Sequence, residues 1–569
     1  MIELIVLWTY MAALNLCVGM GVLSLIYRFT NRTAAPGENG GLRAMDCMLA
    51  GVVTITVYAM AVSIFYKVSM AAHLVMLAVG IVSAVLCRKT AAAFLKKMKA
   101  ELVSWEGAVY LLFIVMTAFC ASRGVQHTDT GIYHAQAIRW YEEYGLVKGL
   151  GNLQLHHAYN SASLAYAAFF SMKWLTGQSL HPTSGFLQAL LCAWALYGLK
   201  DFFKHENHAA DGCRLAILIH ALVYAETIMS PATDHTTMLL VLWVMNRWAE
   251  LACEERLSEK TDRYALLCVA VVCITTCKLS AGLLVLLVIY PAYYLVKNRQ
   301  WKKIGIYLGL GILCLVPWLV RNYLISGWLL YPFEPIDIFN VDWKIPVEYL
   351  RTDSAQIKVY GRNVYDVEKV NDPVSQWFPV WWAAKDRYEL MLLYANILAL
   401  PMGIFAVVYQ LFKKKKVHWD MVLLGAAAVA CLAGWFLLAP FIRYGLAFLL
   451  AFPLMVLGWW LQKLKNGPAR IISGFGCAAI FLSMSMYWDY YVLQDIVWVK
   501  RHLTDPYYIQ QQDYDQVEMD SYEMDWLTVY YPVNNDNASY HNFPSTAYRV
   551  FAERSEMRGD SIEDGFKAK

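Results

Sequence analysis

Charge is scarce in this chain. Of its 569 residues, 16% are Asp, Glu, Lys or Arg and 59% are hydrophobic, where a soluble domain would carry about a quarter charged residues. With a mean hydropathy of +0.40, the shortage excludes an ordinary soluble enzyme and leaves a polytopic membrane protein. Cysteine is missing from the polar loops: none of the thirteen falls in 123–163, in 326–385 or after Tyr491. No disulfide framework or zinc spacing is available there. Cys273 and Cys277 stand one helical turn apart, but in an apolar run where two buried thiols are the plain reading. No repeat of fixed period and no low-complexity tract occurs. The first apolar run lacks a basic leader and a small-residue cleavage site, so it reads as a retained helix and not a signal peptide. A net charge of +4 is small, and no nucleic-acid partner is expected.

What is present is a series of apolar runs of spanning length, about 17–25 residues each. They lie near 3–27, 47–66, 69–87, 105–122, 183–203, 213–230, 234–252, 264–278, 281–297, 304–325, 388–412, 419–440, 441–462 and 470–490. The reading is an all-α polytopic bundle of about 14 spanning helices in a lipid bilayer. Abundant Trp (21) and Tyr (37) suit a chain that crosses two membrane interfaces many times. Basic clusters at Arg28/Arg43, Arg88–Lys99, Lys297–Lys303, Lys413–Lys416 and Lys463–Arg470 alternate correctly if all are cytoplasmic. The stretches 123–163, 326–385 and 491–569 then lie outside, the last with 326–385 forming a small extracytoplasmic cap. The segment 160–175 is short for a span and reads as a helix dipping into the outer leaflet. The links 200–214 and 247–263 read as cytoplasmic. This divides the chain into N-terminal helices (1–104), a membrane core (105–325), an outer loop (326–385), C-terminal helices (386–490) and a tail (491–569).

The polar stretch 123–163 carries Asp129 and four histidines, His127, His134, His156 and His157. Ile132, Ala135, Ile138 and Trp140 recur at helical spacing opposite Arg139, Glu142 and Glu143, as in an amphipathic helix lying on a membrane surface. On the expected topology several further ionisable residues land on the same side: Asp234 and His235 in SPATDHTT, Lys278 in TTCKLSAG, Arg321 in PWLVRNYLISG and Arg443 in APFIRYG. Such residues at membrane depth are costly and usually line a cavity or pair with one another. Each also has a plain structural role. Arg321 and Arg443 suit interface anchors, Asp234 before two threonines suits a helix N-cap, and His156 and His157 suit loop residues. Lys278, between two apolar stretches with no adjacent acid and a helix break at Ser280 and Gly282, and Asp129, flanked by Thr and Gly, are hardest to assign so. One carboxylate with several cations suits transfer from a lipid-phosphate donor. The acid takes a proton from an attacking hydroxyl, and the cations hold the phosphate as charge develops on it.

Five pieces of sequence resemble one another's counterparts in a known group. They are Asp129-x-x-x-Tyr133-His134, then GLGNLQLHHAYNSAS, SPATD, CKLSA, and the RN-x-x-x-SG-x-x-x-YP pattern of 321–332. Together they resemble a family of uncharacterised bacterial polytopic membrane proteins that is similar to the GT-C superfamily of membrane glycosyltransferases. The resemblance implies a bacterial cytoplasmic-membrane enzyme. It would take sugar from a polyprenyl-linked donor to a surface glycan, lipid or protein acceptor. It implies an acid in the first outer loop, matched by Asp129, and a second in the next outer loop, matched by Asp234. Many members carry paired acids in the first loop; here Thr128 and Thr130 flank Asp129, so a lone base is expected, with no cofactor and no metal. The roles expected are Asp129 and His134 in catalysis, Lys278, Arg321 and Arg443 on the donor phosphate, and Asp234 and His235 on the acceptor or in structure. A polymerase or ligase of lipid-linked polysaccharide would lean instead on Arg321, Arg443 and His134. A non-catalytic transporter should show repeats or paired broken helices, and only the break near Lys278 is visible.

Overall fold

The computed structural model describes residues 1–30, 42–125, 127–202, 207–223, 227–253, 257–413, 417–462 and 506–569. They are mostly helical. Among the described residues, seven helices are long and apolar enough to cross a membrane: Ile2–Phe29, Ala44–Phe65, Leu279–Lys297, Trp301–Ser326, Arg387–Phe412, Trp419–Leu438 and Ile442–Leu461. An eighth appears if Met70–Leu86 and Arg88–Leu102, bent by 90°, count as one span. This falls short of the fourteen read from hydropathy, for physical reasons. Trp105–Ala121 and Thr183–Leu199 are apolar but only 17 residues long. Thr233–Ala252 and Leu257–Cys277 are long enough but carry charged residues in their turns. The run 470–490 and Lys414–Lys416 lie outside the described residues.

Those charges are paired inside the protein, which is how an apolar bundle tolerates them. Arg247, 1% exposed, donates to Asp46 at 2.8 Å and also to Glu250. Arg214 donates to Asp211 and to Glu250, each at 2.6 Å. Lys260 meets Asp420 and Lys303 meets Asp262, both at 2.8 Å. The links at 200–214 and 247–263 are thus partly helix, and they tie helix ends together at one end of the bundle.

At the other end, two expectations for 123–175 are corrected. The main helix of 160–175 does not face lipid: Ala162–Phe169, eight residues, is all buried in protein, while Trp174 and Leu175 beyond it are exposed. At about 1.5 Å per residue it is far too short to cross, and it packs on Ala44–Phe65 and Ala135–Glu143. Nor does the amphipathic helix lie on a membrane surface. A π-turn, Thr130–His134, leads into Ala135–Glu143, where Ile138, Trp140, Tyr141 and Glu142 are all buried. Its polar face is covered by 506–569. Gln136 donates to the carbonyls of Ser539 (3.0 Å) and Asn542 (2.9 Å), and Arg139 to those of Tyr540 (2.7 Å) and His541 (2.6 Å). Tyr540 donates its hydroxyl to buried Glu142. An amphipathic pattern reports only that one face is polar; here the backbone of a distant segment takes the place of water.

Residues 506–569 carry two small antiparallel sheets, Met519–Met524 with Leu527–Pro532 and Ser555–Met557 with Phe566–Ala568. Their side chains share one apolar core with 140–158 and 325–350: Trp140, Leu153, Trp328, Ile345, Val529 and Phe566. They also meet backbone to backbone, where Phe566 N donates to Lys148 O at 2.9 Å. Gly149, at φ +63°, makes it possible, since a Cβ there would stand 1.9 Å from the Phe566 carbonyl oxygen. The described parts of 123–163, 326–350 and 506–569 therefore pack together as one layer, which meets the Asp129 loop where Ser539 N donates to Gly131 O at 3.1 Å.

Candidate functional site

Four charged side chains from four elements meet one another. Asp129 ends the loop entering the π-turn. Asp234, 6% exposed, lies in the first turn of Thr233–Ala252. It is not the N-cap expected: Ala232 holds that position, and the carboxylate reaches across to cations instead. Lys278 sits at the break foreseen in the sequence. Leu257–Cys277 ends, Lys278 is extended (φ −158°, ψ 130°), and the chain resumes as a 3₁₀ helix over Leu279–Val288. The break turns its ammonium inward, where it pairs with Asp234 Oδ1 and lies 3.8 Å from the centre of the Tyr444 ring. The acid that the sequence does not place near Lys278 is thus supplied from 44 residues away.

Arg443, at the start of Ile442–Leu461, joins the rest. Its Nη2 donates to Asp129 Oδ2 at 2.7 Å. Nη1 stands 3.3 Å from His127 Nε2. Nε lies 3.0 Å from Asp234 Oδ2, an ion contact not aligned as a hydrogen bond. A guanidinium has no acceptor, so His127 accepts at Nε2 and carries its proton on Nδ1. Two carboxylates face two cations here, and the fixed charges balance.

The electrostatics follow. Burial works against the ionised form of Asp129, but Arg443, then His127, His134 and Lys278, outweigh it and hold the carboxyl below its ordinary range. Burial is the main cause that drives His127 down to about 4; Asp129 opposes it, while Arg443 and Lys278 add to it. His134 is fully buried and is pushed down too, chiefly by burial. Thr130 Oγ1 lies 3.1 Å from its Nδ1, and its ring stacks on His127 at 5.9 Å. It therefore sits behind His127 as a neutral imidazole.

Not every expected residue belongs here. Arg321 is elsewhere: 3% exposed, it donates to Asn160 Oδ1 (3.1 Å) and Ser63 Oγ (2.7 Å) and lies 4.2 Å from the centre of the Tyr141 ring. Those neutral partners hold it as a strut between helices, apart from the set around Arg443. His235 faces away from Lys278, with Nδ1 3.2 Å from Thr227 Oγ1 and its ring 5.0 Å from that of His220. With His127, Asp234, Met238 and Arg443 it lines a small cavity. Two residues at the site carry no role in the sequence reading: His127, noted there only as one of four histidines, and Tyr444. The available signal was adjacency, since each is within two residues of a site charge. As for metals, His127, Asp129 and Asp234 bring one ligand atom each to within 4.8 Å of one another, the one such trio among the described residues.

Residues 1–450 match the family described as Domain of unknown function (DUF8201). The chain belongs to that family. No curated protein and no solved structure matches it. Asp129, Asp234, Lys278 and Arg443 all fall within the DUF8201 match; residues 506–569, which meet the Asp129 loop where Ser539 N donates to Gly131 O, lie beyond it.

Buried neutral histidines give this end of the molecule a pH dependence of stability. His127 and His181 are lowered to about 4 and His157 to about 3, each mainly by burial. Once unfolded they bind protons near 6.5. The unfolded chain therefore holds more protons between about pH 4 and 6.5, and stability rises with pH across that window. The unfolding temperature of the purified protein should fall as pH drops from 6.5 to 4. His157→Gln should make that slope shallower; an unchanged slope would remove His157 from the account.

Proposed function

We propose that the chain is a membrane glycosyltransferase that moves a sugar from a polyprenyl-phosphate-type carrier to a cell-surface acceptor. The proposal includes a GT-C-like arrangement in a bacterial cytoplasmic membrane, with the layer that meets the Asp129 loop outside the cytoplasm. One observation carries it: Arg443 links Asp129 to Asp234, and Lys278 closes the set, at the end of an apolar bundle. A prenyl chain can lie among the helices while its phosphate reaches these cations.

The donor phosphate takes Lys278 over from Asp234 and shares Arg443 with Asp129. Asp129, with less of Arg443's hold, gains proton affinity and accepts the proton of the acceptor hydroxyl as it attacks the anomeric carbon. The phosphate leaves with its charge held by Lys278 and Arg443. A polymerase or ligase resting on Arg321, Arg443 and His134 draws less support, because Arg321 is held by a separate set of partners.

The test is transfer of radiolabelled sugar from a polyprenyl-phosphate donor by purified protein in lipid vesicles. The expected result is product with the wild type and loss of at least tenfold with Lys278→Ala, in line with about 1.5–3 kcal/mol for a hydrogen bond to a charged group. A wild type inert towards mono- and diphosphate polyprenyl donors of several sugars would overturn the reading.

A further inference from the structure

The trio His127, Asp129 and Asp234 is a set of donors that suits a divalent cation: one imidazole lone pair and two carboxylates. Ligands on opposite sides of such an ion, at about 2.0–2.6 Å each, stand roughly 4–5 Å apart, and these three fall within 4.8 Å of one another. Yet all three are already turned toward one side chain. Nη2, Nη1 and Nε of Arg443 approach Asp129, His127 and Asp234 at 2.7, 3.3 and 3.0 Å respectively. The Nε2 lone pair that a metal would need faces the guanidinium, and the Asp129 oxygen accepts its hydrogen bond. Lys278 holds the other oxygen of Asp234.

We infer that the Arg443 guanidinium is the resident cation of this site and takes the place that a divalent metal would otherwise fill. Its planar fork offers several N–H directions from one permanent positive charge, so a single side chain faces an imidazole and two carboxylates at once, bonding to Asp129 and His127 and meeting Asp234 as an ion contact. A lysine offers a point charge and no fixed fork, so Lys278 cannot replace it. With Arg443 in position, a divalent ion meets both a filled space and like charge from two cations. Remove the guanidinium and the same three ligands face one another without it, with charge to spare for a metal. This stands whether or not the site transfers sugar.

The experiment reads metal uptake and not turnover. Mn²⁺ is titrated into purified protein in detergent and the free-ion electron paramagnetic resonance signal is followed, for wild type, Arg443→Ala and Arg443→Ala/Asp129→Asn. The expected result is no stoichiometric uptake by the wild type, one equivalent by Arg443→Ala bound at least 100-fold more tightly, and loss of that equivalent in the double variant. Stoichiometric uptake by the wild type that Asp129→Asn abolishes would overturn the inference. So would a folded Arg443→Ala variant that takes up no more Mn²⁺ than the wild type. If Arg443→Ala does not fold, Arg443→Met takes its place. If neither folds, the wild type decides: uptake lost in Asp129→Asn overturns the inference, and no uptake supports it.

Discussion

Asp129→Asn lowers single-turnover sugar transfer by about 10²–10⁴-fold, the usual contribution of a general base, while donor binding and folding stay close to wild type. The change keeps the size of the side chain but removes its ability to take a proton. The carboxylate is a quarter exposed and shares Arg443 with Asp234, so the arginine keeps a counter-charge after the substitution. That is why the loss should appear in turnover and not in stability. A second signature lies in the pH profile. Wild-type turnover should rise with pH as the acid ionises and then level off, and with donor bound the rise should stand above the lowered position that Asp129 holds in the free site. In Asp129→Asn that rise should be absent. Single-turnover rates in lipid from pH 4 to 8 would decide it, and full activity of Asp129→Asn would sink the base assignment.

Lys278→Met carries the second large effect, this time on stability. Asp234 is 7% exposed at its side chain and Lys278 a quarter exposed. Deleting one member of a buried pair leaves its partner's charge poorly compensated, which costs about 3–5 kcal/mol. Because Arg443 still lies 3.0 Å from Asp234, the loss should sit at the lower end, about 3 kcal/mol. Lys278→Met/Asp234→Asn removes both charges and should recover part of it. Equilibrium unfolding of wild type, both single variants and the double variant gives the coupling. A double variant no more stable than the sum of the singles would mean that the two groups do not interact as described.

How much of this was legible in the sequence depends on the length of chain each feature needs. Lys278 could be singled out because its signal is local: a lone cation between apolar runs, with Ser280 and Gly282 after it. The helix break there is what the structure has. Asp129 was legible for the same reason. That Arg443 and not Arg321 would join them was not. Both sit beside a helix end, and what separates them is tertiary: Arg321 finds Asn160 and Ser63, Arg443 finds two carboxylates. The span count went astray for a related reason. The run 234–252 reads as a span by length although it carries Arg247 and Glu250, and the folded bundle pairs Arg247 with Asp46 and Glu250 inside the protein. The helix Ala135–Glu143 misled in the opposite sense, because the carbonyls of 539–542 that cover its polar face lie some four hundred residues away.

The pairing of Asp129 with Arg443 spans 314 residues, and this sets an order of events during synthesis. At roughly 5–20 residues per second, about 15–60 s pass between the ribosome making the acid and making its partner. Asp234 and Lys278, 44 residues apart, can neutralise each other within seconds. Asp129 has no such neighbour and must wait at the membrane boundary as a solvated or protonated acid. Arg443 then arrives on one of the last apolar helices described, and its guanidinium closes over three side chains already in place. The same helix completes the apolar core, since its Leu446, Phe448 and Leu449 are buried there, so packing and charge settle together and Arg443 is the residue whose insertion commits the site.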